Sequence, residues 1–240
     1  TTLFRSNKTF RKFGIQEPLS HIYFFPVMPN TISILLSSKS GCRKIYDHIL
    51  PKAKNTKPKL KWGLELNLPD NFSWKFTYDS PFSLTKDSKL QWLQFRINHR
   101  ILGTNRLLRK MGMSDSNLCS FCNQSDETIT HIFWECKHVD SYWRALIHWI
   151  NLYHNDTFCN WSKTDILFGN KILQRNSNMI ILLSKQYIYH CKMKKVLPNV
   201  DVFKKKFKQY ISFERYEAEK CGYIQRFQRN WKSFVLFLEQ

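Results

Sequence analysis

At 240 residues the chain is long enough for one sizeable core or two smaller domains, and an aromatic content of 15% with only 7 glycines and 8 prolines argues against a disordered chain. No apolar run approaches the length of a membrane span, Met179 to Leu183 being the nearest. Lys and Arg number 38 against 18 Asp and Glu, a formal charge of +20; a protein this basic calls for a polyanion such as nucleic acid, the bland alternative being a solvated, lysine-rich surface.

The first sixty residues are weakly patterned. Pro18, Pro26 and Pro29 punctuate an aromatic run that includes Tyr23, Phe24 and Phe25, and Gly41 to Leu50 reads as a short helix with Ile45, Tyr46 and Ile49 on one side. A basic, proline-containing linker with five lysines follows to Lys61, able to touch phosphate or to serve as a nuclear address, though solvation explains such linkers as well. The chain opens on Thr1 and carries no secretory leader, so a fragment of something longer is expected, in a reducing compartment of nucleus and cytoplasm.

From residue 61 to 115 a basic helical region is expected. Trp62, Leu64, Leu66 and Trp74 are its first apolar anchors. Thr85 or Asp87 can start a longer helix that runs to about Leu102, burying Leu90, Leu93 and Ile97 and stopping at Gly103. Thr104 can cap a further helix that ends at Gly112. Arg96 and Arg100 stand one turn apart, and Arg106, Arg109 and Lys110 follow within a turn or so. Such cations can fork onto neighbouring phosphates or simply form a wet helix face.

Residues 116–150 contain Cys119-Ser-Phe-Cys122, then His131, then Cys136. A CxxC turn aims two thiolates at one point, and a histidine and a third cysteine return from a second element, a spacing suited to a closed tetrahedral zinc site. Thiolate and imidazole select Zn2+ over hard cations, and four protein ligands leave no seat for substrate. His138 competes as fourth ligand, and buried free cysteines are the alternative to a metal. A five-residue step on an ideal helix turns through about 500°, leaving its ends roughly 140° apart, so His131 and Cys136 cannot share an unbroken helix and still meet. The helix should end near Cys136, and Asp140 or Ser141 can cap a new one with Tyr142, Trp143, Leu146, Ile147 and Ile150 on its apolar stripe.

Residues 151–240 are expected to form a carboxy-terminal helical region. Trp149 and Trp161 bracket a loop with Asn151, Asn155 and Asp156, and Ile166 to Phe168 lead to a turn at Gly169-Asn170. Met179 to Met193 is apolar nearly all round at its start, which implies burial, and ends among Lys192, Lys194 and Lys195. Asn199 or Asp201 can cap a helix with Phe203, Phe207, Tyr210 and Ile211 on one face and Lys204, Lys205, Lys206 and Lys208 over the rest. A last segment repeats the pattern with Phe227, Trp231 and Phe234, aromatics spaced for burial rather than for base stacking.

No adjacent aspartates and no glycine-rich phosphate loop occur, and Cys42 with His48 lacks the surroundings of a nucleophile pair, so no enzyme is expected in this fragment. The run from Leu90 through Gly112, then Cys119-Ser-Phe-Cys122, Glu127-Thr-Ile-Thr-His131-Ile-Phe-Trp-Glu-Cys136 and Tyr142-Trp143, resembles the zinc-binding domain of non-long-terminal-repeat retrotransposon reverse transcriptases. The resemblance implies a carboxy-terminal region that follows the polymerase in a parent polyprotein and helps hold nucleic acid. It puts Cys119, Cys122, His131 and Cys136 on the family's four metal positions.

The sequence therefore predicts a mainly α fold stapled by a small CCHC zinc segment, preceded by a leading segment and basic linker over 1–60. Its expected role is an accessory nucleic-acid-binding module that positions RNA or DNA for reverse transcription. Arg96, Arg100, Arg106, Arg109 and Lys110, helped by Lys204, Lys205, Lys206 and Lys208, would grip phosphate. The polymerase region of the same polyprotein is the expected protein partner. A structural module that packs on that polymerase is the rival, and exposed aromatics around Trp134 and Trp231 would favour it.

Overall fold

The computed structural model describes residues 57–152, 160–231 and 234, all within one compact unit that spans residues 56–240. The predicted helix at residues 41–50, the Cys42–His48 pair, most of the basic linker and most of the loop between Trp149 and Trp161 lie outside the described residues. The described fold is mainly α: α1 (Pro58–Leu66), α2 (Trp74–Leu84), α3 (Ser88–Asn98), α4 (Asn105–Lys110), a π-helical turn (His131–Glu135), α5 (Lys137–Asn151), α6 (Lys163–Phe168), α7 (Arg175–Lys194), α8 (Val200–Lys220) and α9 (Ile224–Trp231). Among the described residues the only β pairing is an isolated antiparallel bridge between Leu118 and Asp126.

Several helix starts follow their capping residues. Asp87 accepts from the Lys89 amide, Thr104 from that of Leu107, and Asn199 from those of Asp201 and Val202. Ser162 and Asp165 form a reciprocal capping box at α6, which turns the expected lead-in at Ile166 to Phe168 into a short helix. The stop of α3 differs from expectation. The helix ends at Asn98, not near Leu102, because Arg100 takes the left-handed conformation (φ 60°) and the Ile101 amide bonds back to the Arg96 carbonyl. Leu64 is also misassigned as an anchor: it is 81% exposed, while Trp62 on the opposite side of α1 is fully buried.

α7 is the centre of the packing. It contacts α2, α3, the π-helical turn, α8 and α9, which is why every residue from Asn176 to Lys185 is buried, polar ones included. Polar groups stitch the centre as well. Lys185 of α7 is buried and donates to Gln94 of α3 and to the Leu167 carbonyl (3.0 Å). Gln94 in turn donates to Asn98 (2.7 Å) and Leu167 (2.9 Å), and Asn98 reaches the Thr77 carbonyl (3.0 Å). Phe203, Phe207, Phe227, Trp231 and Phe234 all lie in the core, so the carboxy-terminal aromatics are structural. None of the described helices is long and apolar enough to cross a membrane.

Candidate metal centre and the basic surface beside it

A small hairpin supplies the first two thiols. The Cys119 amide bonds the Ser125 carbonyl (2.8 Å), and that of Glu127 bonds Asn117 (2.8 Å). Between them the CxxC turn closes through Asn123, whose φ of 52° is left-handed and whose amide reaches the Cys119 carbonyl (2.9 Å). Asparagine tolerates that conformation, so the turn needs no glycine. The Phe121 amide donates to the Cys119 sulfur at 3.4 Å.

The other two ligands come from the π-helical turn. Its hydrogen bond from the Cys136 amide to the His131 carbonyl, 2.9 Å, spans five residues instead of four. This wider turn brings residue 136 back over residue 131, which an α-helix would not do. Cys136 then leaves in extended conformation (φ −68°, ψ 126°) and is itself the N-cap residue of α5. The cap of the new helix accordingly falls at Cys136, four residues before the expected Asp140. Asp140 instead pairs with Arg144 (2.8 Å), and Ser141 donates back to the Lys137 carbonyl.

The ligand atoms of Cys119, Cys122, His131 and Cys136 all lie within 4.8 Å of one another. Zinc in a tetrahedron, with Zn–S of about 2.3 Å and Zn–N of about 2.0–2.1 Å, sets sulfurs about 3.8 Å apart and a sulfur and nitrogen about 3.5 Å apart. Here the Cys119 and Cys136 sulfurs are 3.9 Å apart, and Cys122 Sγ is 3.5 Å from His131 Nε2. The cage therefore fits Zn2+, and His131 rather than His138 is its imidazole. The buried Cys119 thiol donates to Cys136, which raises the one well above and lowers the other below the ordinary thiol value. Zinc, which takes thiolates, would displace that shared proton.

Residues 42–143 match the family model described as zinc-binding in reverse transcriptase. Over this segment the chain is similar to zinc-binding domains of reverse transcriptases. No curated protein and no solved structure matches the chain. The matched segment takes in α1 to α4, the metal cage and the start of α5, and α6 to α9 follow it.

One carboxylate ties the matched segment together and to the helix beyond it. Glu127 is fully buried, accepts from the Ser120 amide (2.8 Å) and hydroxyl (2.7 Å), and accepts from the Asn105 amide at the start of α4 (2.8 Å). It also pairs with Lys192 of α7 at 3.0 Å, and Lys192 donates to the Gly103 carbonyl. Glu127 thus joins the CxxC turn, the basic helix α4 and the central helix α7. The sequence places Lys192 among the cations at the end of this helix and Glu127 in the motif stretch, without pairing them. The available signal was Lys192 itself, a cation on a helix otherwise read as buried.

The basic residues singled out in the sequence are not equivalent. Arg100 lies 4.1 Å over the Trp62 ring and pairs with Glu65, and Arg96 lies 5.6 Å from the centre of the Tyr189 ring. Both are half-buried in the fold. Arg106, Arg109 and Lys110 are exposed on α4, with Arg109 donating to Asn117 of the hairpin (3.0 Å). On α8, Lys204 pairs with Asp201 (3.0 Å) and Lys206 lies 5.2 Å over Tyr187, while Lys205 is exposed and Lys208 half-buried.

Proposed function

We propose that this chain is the accessory nucleic-acid-binding region of a retrotransposon reverse transcriptase, holding RNA or DNA while a polymerase region of the same polyprotein copies it, in the nucleus and cytoplasm. The observation that carries the reading is the attachment of α4 to the metal cage. Asn105 of α4 donates through its amide to Glu127 and through its side chain to the Leu118 carbonyl (2.7 Å), and Arg109 reaches Asn117. The cage thereby fixes a short helix, free of acidic residues, that turns Arg106 and Lys110 to solvent. Zinc supplies rigidity, and the cations supply the phosphate contacts.

The test is a titration of the zinc-loaded chain with labelled RNA and single-stranded DNA across a salt series. Each phosphate contact contributes a slope of about 0.7 for single strands in log affinity against log salt. Reversing Arg106, Arg109 and Lys110 to Glu should weaken binding and flatten the slope by about two units. Unchanged affinity would overturn the reading.

A protein-docking role has one observation in its favour. Met111, Met113 and Leu118, beside the metal hairpin, are 61%, 68% and 39% exposed. Trp231, by contrast, is buried against Glu214 and offers no docking ring. Under this rival reading the same α4 reversals would leave nucleic-acid affinity negligible from the outset, while exchange of Met111 and Met113 for polar residues would release a polymerase fragment.

A further inference from the structure

α3 buries Leu90, Leu93, Gln94 and Ile97 and presents a different chemistry outward. Trp92 and Phe95, three residues apart, stack with ring centres 5.0 Å apart and planes 5° from parallel. His99, one turn on, continues the row at 4.1 Å from Phe95, and Tyr78 of α2 lies 5.4 Å beyond it. Phe95 covers one side of the Trp92 indole, yet Trp92 remains 56% exposed. Burial does not account for this ring, in contrast to Phe203 and Phe207 of α8 and Phe227 and Trp231 of α9.

Cations flank the row. Lys89 and Arg96 stand three before and four after Trp92, hence on its side of the helix, and α3 contains no acidic residue; its N-cap Asp87 is engaged with the Lys89 amide. Arg96 and Arg100 pack inward on Tyr189 and Trp62, and their Nε and Nη1 atoms, buried there, have no hydrogen-bond acceptor among the described residues, so Lys89 is the cation of α3 open to a ligand. Lys89 also lines a cleft of about 370 Å³ between α3, α7 and α8, together with Gln186, His190 and Lys206. No carboxylate lines this cleft, and Lys206 leans into it over the Tyr187 ring.

We propose that the outer face of α3 is a stacking platform for unpaired bases of single-stranded nucleic acid, with the adjoining Lys89–His190–Lys206 cleft taking the backbone phosphates. The proposal rests on the nucleic-acid reading given above and names the strand form that this face selects. Flat aromatic rings beside a positive groove suit single strands, because each base offers a face to stack once unpaired, whereas in a duplex those faces are already occupied. The charge of the cleft excludes an acid-poor, apolar peptide as the favoured occupant.

The experiment is fluorescence anisotropy of the zinc-loaded full chain with a short labelled oligothymidylate and with a labelled duplex of the same length, across a salt series. Trp92→Ala should weaken the single strand about 5- to 100-fold, leave the duplex nearly unchanged and leave the salt slope intact. Trp92→Phe, which keeps a ring, should recover most of the loss. Lys89→Ala with Lys206→Ala should reduce the single-strand salt slope by about 1.4, the share of two phosphates. Helical circular dichroism establishes that each variant is folded. Equal losses on both ligands, or no loss with Trp92→Ala while the wild type still binds, overturn the platform and leave the broader reading standing. A wild type that binds neither ligand overturns both.

Discussion

Glu127 and Lys192 pair at 3.0 Å with side-chain exposures of 0% and 4%, joining the loop between the second and third metal ligands to the last turn of the central helix. Both charges are saturated by further hydrogen bonds: Glu127 by Asn105 and Ser120, Lys192 by the Gly103 carbonyl. A buried pair of this kind contributes little relative to an apolar replacement, but breaking it strands a charge. Glu127→Ala should therefore destabilise the zinc-loaded protein by about 3–5 kcal/mol in urea unfolding. Combining Glu127→Gln with Lys192→Met should cost markedly less than the sum of the two single changes. Additive costs in that double-mutant cycle would remove the coupling.

Metal removal should act locally first. The hairpin at residues 117–127 has only an isolated bridge of its own, and the cage is what closes it onto the π-helical turn, beside the Glu127 contacts to α4 and α7. Chelation should abolish hydrogen-exchange protection at Cys119, Glu127 and Cys136 while α7 and α8, which bury their apolar faces against each other and against α5, keep most of theirs. Cys136→Ser should reproduce the pattern in the presence of zinc. Uniform loss of protection across α7 and α8 would make the cage a determinant of the whole core instead.

The metal quartet and most helix starts were legible because they are local: a CxxC turn, a returning His and Cys, and Asp87, Thr104 or Asn199 ahead of an apolar period. What escaped was set by distant partners. Arg100 can end α3 in a left-handed turn that costs an ordinary residue about 1–2 kcal/mol because Glu65 and Trp62 hold its guanidinium, and both lie more than thirty residues upstream. The Glu127–Lys192 pair spans the chain from the metal loop to α7, and no nearby pattern announces it. The π-helical turn was foreseen as a break but not as a wider turn, because helical periodicity carries no record of a single inserted residue.

Gly169 ends α6 with φ 72° and ψ 174°, a region open in practice to glycine alone. A Cβ there would sit 2.8 Å from the Asn178 side-chain oxygen, the atom that accepts from the Asn170 amide at 2.9 Å. Gly169→Ala should cost about 1–3 kcal/mol in backbone strain alone. The damage should appear as lost exchange protection at Asn170, with the zinc cage intact. Wild-type stability for this variant would mean that the α6–α7 connection readjusts freely.

Lys185 offers a pH signature separate from the metal. Its ammonium is wholly buried with only neutral acceptors, Gln94 and the Leu167 carbonyl, and desolvation brings it down to about 7. An unfolded lysine titrates near 10.4. Between those values the unfolded chain holds a proton that the folded chain has released, so stability rises as pH climbs from about 7 towards about 10. Below about 7 both states are protonated and the burial cost is fully felt. The informative quantity is the difference between the wild type and Lys185→Met, each saturated with zinc, because every other group cancels from it. That difference should shift in favour of the wild type by up to about 1.4 kcal/mol per pH unit across the window. Parallel pH profiles for the two proteins would show that Lys185 keeps its proton in the fold and that Gln94 and Leu167 solvate the charge well enough to replace water.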